Sequence, residues 1–167
     1  LVFYIDSMRA IPVLVVLVWI YFAFPLLAGV NFAPFWAALV ALTLHIAAYS
    51  AEVIRAGIES VRPGQMRAGL ALGMSRAQAL RKIILPQATI RMLPAFGSVL
   101  TVAIKDTAIA TVIAVPELMH KAETIAGQSY RPIEVFTAVI VAYFVILFPV
   151  TRGVDRLYQR YAHLGRS

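Results

Sequence analysis

Four apolar stretches constrain this chain more than any other feature. They run roughly from Ile11 to Ala28, from Pro34 to Val53, from Leu85 or Thr89 to Ile104, and from Ile133 to Val150. Each is close to the about 20 residues that a helix needs to cross a hydrocarbon layer. A fifth apolar piece, Thr107 to Val115, is too short to cross and reads as a re-entrant or half-spanning segment. Pro25 and Pro149 fall near span ends, where a lost backbone donor is easily tolerated. Trp19, Tyr21 and Trp36 lie toward the turn between the first two spans, as an interfacial aromatic belt does.

Composition points the same way. The 167 residues are 61% hydrophobic and 14% charged, with a mean hydropathy of +0.82. One soluble domain of this size cannot hide so much apolar surface, so a bilayer is the natural solvent. The expected fold is an all-α polytopic transmembrane helical bundle, a single domain over residues 1–167 without repeats or low-complexity tracts. With no cysteine, disulfides, thiolate metal sites and thiol nucleophiles are excluded. The chain opens at Leu1 without a Met or a signal-peptide pattern, so an N-terminal piece is expected ahead of it.

The placement of charge sets the topology. Lys and Arg number 15. Arg9 precedes the first span, seven cations (Arg55, Arg62, Arg67, Arg76, Arg81, Lys82, Arg91) lie between the second and third, and Arg152, Arg156, Arg160 and Arg166 follow the last. Only Lys105, Lys121 and Arg131 fall on the other side. The positive-inside rule then puts both ends and the large loop in the cytoplasm, and four crossings return the chain to its starting side.

That loop carries helix punctuation. Pro63 suits a first helical position, and Gly73 supplies the left-handed residue that ends a helix cheaply. Ser75 and Gln78 form a capping-box pattern for a second helix that runs to Pro86. Leu80, Ile83 and Ile84 share one face of it. The segment resembles a DNA-binding helix-turn-helix, but it is tethered to a membrane at both ends, so nucleic acid is set aside as a partner. Two other readings remain: an amphipathic elbow on anionic headgroups, or a docking knob for a cytoplasmic protein.

The same residues resemble the permease subunits of ABC importers. In that family the cytoplasmic loop reads E-A-A, three residues, Gly, nine residues, I-x-L-P. Here Ala68 takes the first alanine place, Gly73 the glycine, and Ile83, Leu85 and Pro86 follow after Met74 to Lys82. Arg67 stands at the acidic position and Gly69 at the second alanine. MRAIPVLVVLVWIYF, AYSAEVIRAGIESVRPGQ, KDTAIATVIAVPEL and YRPIEVF are similar to the polar amino acid uptake branch. The resemblance implies a multi-pass protein of the bacterial cytoplasmic (inner) membrane that forms a pathway for a polar amino acid or a related small zwitterion. It implies a second permease copy or a sister permease as partner, and a periplasmic or lipid-anchored solute-binding protein. Two ATPase subunits would dock on a coupling loop, residues 62–86, that includes Gly64, Arg67, Ala68, Gly73, Met74, Ser75, Ile83, Leu85 and Pro86. It also implies one more span before Ile11. Gly64 to Gly69 has the first spacing of a P-loop but continues Leu70-Ala71, so ATP and Mg would be used by the partner.

Polar groups inside the spans are the candidates for the pathway. His45, Tyr49 and Glu52 share a helical face. Such groups either line a cavity or are satisfied locally, with Glu52 pairing with Arg55 at the interface. Lys105, Asp106 and Thr107 interrupt apolar sequence, and they suit either a zwitterionic substrate or a contact between permease subunits. Glu117, His120, Lys121 and Glu123 read as a solvated outer face, where a binding protein would land, or as an ordinary polar loop. No nucleophile set, carboxylate pair or metal-ligand spacing points to enzyme chemistry. A stand-alone ion-coupled carrier or channel is the alternative class; it would place charges at midplane in broken spans.

Overall fold

The computed structural model describes residues 2–161, all of them helix, turn or connecting segment. Arg166, one of the cations assigned to the cytoplasmic side, lies outside that range. The helices are α1 (Val2–Ala10), α2 (Val13–Ala28), α3 (Pro34–Glu59), α4 (Pro63–Ala71), α5 (Arg76–Ile113), α6 (Leu118–Ser129) and α7 (Pro132–Tyr161). α3, α5 and α7 are each long and apolar enough to cross a membrane.

The first expected span differs from the sequence reading. Its helix starts at Val13, because Pro12 is extended (φ −59°, ψ 135°) and biases the residue before it away from helix. At about 1.5 Å per residue, α2 is roughly 24 Å long. It reaches spanning length only together with α1, from which it is bent by 101°. Among the described residues the bundle therefore has three helices of spanning length and one bent pair. α1 itself, and the twelve-residue helix α6, were not anticipated from the sequence.

α5 is a second correction. The cytoplasmic helix was expected to stop at Pro86 with a separate span beyond it, yet one 38-residue helix runs from Arg76 to Ile113. Leu80–Ile84 form a π-turn in which the Leu85 N–H donates to the Leu80 carbonyl, five residues back. The same device occurs in α2, where the Phe24 N–H reaches Trp19 across the π-turn Trp19–Ala23, directly before Pro25. Proline has no N–H and crowds the carbonyl four residues earlier. A wide turn just ahead of it lets the helix continue. Pro94 and Pro149 are also interior, and α7 continues for three turns past Pro149. Thr107–Ile113, expected as an independent half-spanning piece, adds 3-10 turns to the end of α5 and is closed by Ala114 in left-handed geometry (φ 58°).

Packing is organised around α3 and α5, with α7 on the far side of α5. α3 turns a stripe of small residues inward: Ala37, Ala38, Ala41 and Ala48 are buried, and Leu17 and Ile20 of α2 close over the first three. Small residues let helix backbones approach closely, which substitutes for the hydrophobic drive that lipid does not supply. At the other end of α3, Val61, Ile84, Ala88 and Met92 form a second core, with Met66 and Phe96 packed against it. The Arg91 guanidinium donates to the Ser60 carbonyl and ties α5 to the end of α3.

α5 and α7 approach each other closely at Gly97. A Cβ there would lie 2.4 Å from Cγ1 of Val154, a β-branched side chain with little freedom to move. Gly97→Ala is expected to cost about 1–3 kcal/mol by overpacking. Thermal unfolding in detergent should show the loss, and Val154→Ala should recover most of it. Unchanged stability of the single variant would refute the close approach.

Candidate functional site

Two features stand out, one outside the spans and one between them. The first is the knob formed by α4, the turn Leu72–Ser75 and the start of α5. Pro63 is the first residue of α4, and the helix ends in a Schellman motif: the Met74 N–H donates to the Gly69 carbonyl (3.1 Å) and the Gly73 N–H to Leu70 (3.0 Å). Gly73 sits at φ +80°, a conformation most side chains resist. Ser75 then caps α5 reciprocally. Its Oγ accepts from the Gln78 N–H (3.2 Å), and its own N–H donates to Gln78 Oε1 (2.9 Å).

Gly69, the departure at the second alanine, has a packing reason. It is buried, and a Cβ on it would come within 3.0 Å of Ile83 Cδ1 and 3.1 Å of Ala79 Cβ, with Met74 Sδ at 3.7 Å. The glycine lets α4 lie directly on the first turns of α5. Met66 also turns inward, onto the second core. Gly64, Arg67, Ala68 and Ala71 face out, and Leu72 at the tip is 78% exposed. Ile83 is half-buried, while Leu85 and Pro86 are exposed on the far side of the π-turn.

The second feature is a cavity of about 340 Å³ between α3 and α5. His45 and Tyr49 line it from α3, and Ser98, Val102 and Asp106, spaced one turn apart, from α5. Its size falls within the roughly 300–1,000 Å³ of small-molecule sites. His45 is only 7% exposed, and its Nδ1 has no hydrogen-bond partner among the described residues. Its ring packs on Tyr49 with centroids 5.0 Å apart. The Ser98 hydroxyl is already spent on the Pro94 carbonyl (3.2 Å).

The structure divides the sequence candidates. Glu52 leaves the cavity and holds Arg55 through both oxygens (3.0 and 2.6 Å), with Arg9 of α1 at 3.6 Å. Arg55 reaches on to Glu59 at 2.7 Å, and Arg9 lies 5.9 Å from the centre of the Tyr49 ring. The local pairing of Glu52 with Arg55 is thus present, while His45 faces the same cavity as Asp106 of the neighbouring helix. Lys105, Asp106 and Thr107 diverge: Lys105 lines an opening beside Asp155 of α7, Asp106 the cavity with His45, and Thr107 a third space toward Phe35 and Glu117.

The expected outer face is less freely solvated than the sequence suggests. Glu117 caps α6, accepting from the backbone N–H groups of Met119 (2.8 Å) and His120 (2.6 Å). Glu123 accepts from Thr111 Oγ1 (2.8 Å), leaving Lys121 exposed and without an ion pair among the described residues. Among those residues no three His, Asp or Glu converge as metal ligands would. The sequence reading missed Ser98 as a cavity residue; its spacing from Val102 and Asp106 on one helical face was the available signal.

The helical bundle carries a capped knob and a largely apolar space between two of its long helices into which His45 and Asp106 are set, and the comparisons assign it to a family. Residues 1–163 match the family described as binding-protein-dependent transport system inner membrane component, and the chain belongs to that family. The glutamine transport system permease protein GlnP of Escherichia coli (strain K12) is 37% identical over 158 residues, covering 94% of this chain and 72% of the relative. The probable amino-acid ABC transporter permease protein PatM of Vibrio harveyi is 41% identical over 153 residues, with 89% and 68% covered. The crystal structure of an amino acid ABC transporter with histidines superposes with a TM-score of 0.89 at 37% identity, over 95% of this chain and 74% of that one. The chain is therefore a permease subunit of an ABC importer, a multi-pass component of the inner membrane and a transport rather than a catalytic subunit.

The local grammar of the knob can be tested by itself. Ser75→Ala removes one half of the capping box, at a cost of about 1 kcal/mol. Backbone amides of residues 76–79 should then exchange hydrogen faster, while those of α3 do not change. Equal exchange in both proteins would show that the cap contributes nothing.

Proposed function

We propose that this permease forms the translocation pathway for a polar amino acid or a closely related small zwitterion, and that residues 62–86 couple the pathway to two separate ATPase subunits. Residues 1–167 act as one transmembrane domain with both ends cytoplasmic. The chain works beside a second copy or a sister permease, and a periplasmic or lipid-anchored binding protein delivers the substrate. ATP and Mg are consumed by the ATPases.

One observation carries this reading: α5 begins at the cap of the knob and lines the cavity three-quarters of its length later, without a break. A push on the knob is a push on Asp106. Two arrangements of the spans can then be biased from outside the membrane. In the cavity, Asp106 is suited to a substrate ammonium, while the Nδ1 of His45 is a free hydrogen-bonding group for a polar side chain. Tyr49 walls the site, and Glu52, held by Arg9 and Arg55, fixes α1 against α3 below it. Lys105 and Thr107 line neighbouring spaces, so a contact with the second permease is the better role for Lys105.

The absence of cysteine makes the coupling testable. With Met74→Cys and one cysteine in the ATPase groove, a cross-link should form in membranes, and its yield should change with nucleotide. No cross-link between folded proteins with a reactive groove thiol would reject the coupling role. For the cavity, Asp106→Asn should lower uptake in proteoliposomes at least tenfold, about 1.4 kcal/mol, with the ATPase still docked. Uptake at the wild-type rate would remove Asp106 from the pathway.

A further inference from the structure

The surface of the knob is basic without exception. From Val61 to Ala88 the sequence holds Arg62, Arg67, Arg76, Arg81 and Lys82, and no Asp or Glu. All five cations are exposed, and none has an ion-pair partner among the described residues. The carboxylates nearest in sequence, Glu52 and Glu59, are both engaged by Arg55. Arg67 occupies the most informative place. It lies on the outer face of α4 among Gly64, Ala68 and Ala71, beside the exposed tip at Leu72.

We infer that the groove receiving this knob is lined by carboxylates, one of them placed to meet Arg67, so that the permease–ATPase contact is an apolar tip in a cationic rim seated in an anionic socket. The inference rests on the coupling role proposed above and adds the chemistry of the partner. An arginine in the middle of a small-residue face is desolvated when another surface covers that face, and a desolvated cation needs an opposite charge. A groove offering a cation at this point would meet like charge and be rejected. The resemblance puts an acid at this position, so the reversal here implies a reversal in the partner.

Anionic headgroups are the competing source of negative charge. α4 is poorly built for lying on them, because an interfacial helix needs a broad apolar face with bulky side chains. Met66 is packed inward, and the residues of α4 that face out are Pro63, Gly64, Arg67, Ala68, Leu70 and Ala71, of which only Leu70 (38% exposed) is a bulky aliphatic side chain.

The test uses the full transporter with its cognate ATPase, in detergent and in nanodiscs of defined lipid. Arg67→Glu should weaken ATPase binding about tenfold, and the deficit should persist at high salt because a charge desolvated within the contact is screened little. Arg67→Lys should bind nearly as wild type. Changing the groove carboxylate nearest the Met74→Cys cross-link to lysine should restore binding to Arg67→Glu and weaken binding to the parent. Binding of Arg67→Glu equal to or tighter than the parent overturns the anionic socket, even while the cross-link persists. So does an effect seen only in anionic nanodiscs and absent in detergent, which would assign the arginine to headgroups. Loss of the cross-link in the parent background would instead bring down the coupling role itself.

Discussion

The structure depends on the contact between α3 and α5. Lipid supplies no hydrophobic drive to bring two apolar helices together, so close backbone approach has to do it. Ala37, Ala38, Ala41 and Ala48 form a buried small-residue stripe on α3; Ala110 and Ile113 of α5 join the core around its first three members, and Gly57 lies against Met92 of α5 at the far end of the helix. His45 is the one polar residue in that stripe, and burial there without a partner for Nδ1 is a state that local packing alone would not favour. The small residues on either side hold the helices close enough to bury the imidazole, while the cavity beside it leaves the ring nitrogen open. Cohesion and a polar opening thus come from a single helix face.

Charge is sorted with the same economy. Glu52, Arg55, Glu59 and Arg9 neutralise one another at the base of α1 and α3, whereas the knob a few residues further on keeps only cations. Exposed pairs of this kind are worth little each. Their effect here is geometric: Arg9 bridges the Tyr49 ring and the Glu52 carboxylate, and so locks the short helix α1 to the wall of the cavity. Hydrogen bonding from the Tyr4 hydroxyl to the Leu44 carbonyl (2.6 Å) fixes its other end.

What could be read from sequence follows the range of the forces involved. Pro63, Gly73, Ser75 and Gln78 act within three or four residues, so the knob was legible in outline. The spans were legible as hydropathy, since solvent acts on every residue at once. The continuity of α5 was not, because Pro86 is a stop signal unless a π-turn precedes it, and nothing in Leu80 to Ile84 marks such a turn. Likewise the stripe of His45, Tyr49 and Glu52 was predicted as a face, but its division needed Arg9, forty-three residues from Glu52 in the chain and placed by the bend after α1. Lys105, Asp106 and Thr107 look like one cluster in a string of letters; on a helix they point three ways.

The unbroken run of α5 also sets a mechanical ratio. From Arg76 to Asp106 the helix rises about 45 Å. Gly97, seated against Val154, lies about 31 Å from Arg76 and about 14 Å from Asp106, so a tilt of about 10° pivoting there carries Arg76 through roughly 5.5 Å and Asp106 through roughly 2.4 Å in the opposite direction. If the knob is the coupling element proposed above, a rotation imposed on it reaches the wall of the cavity at somewhat under half its amplitude, with no need for any residue between to change conformation.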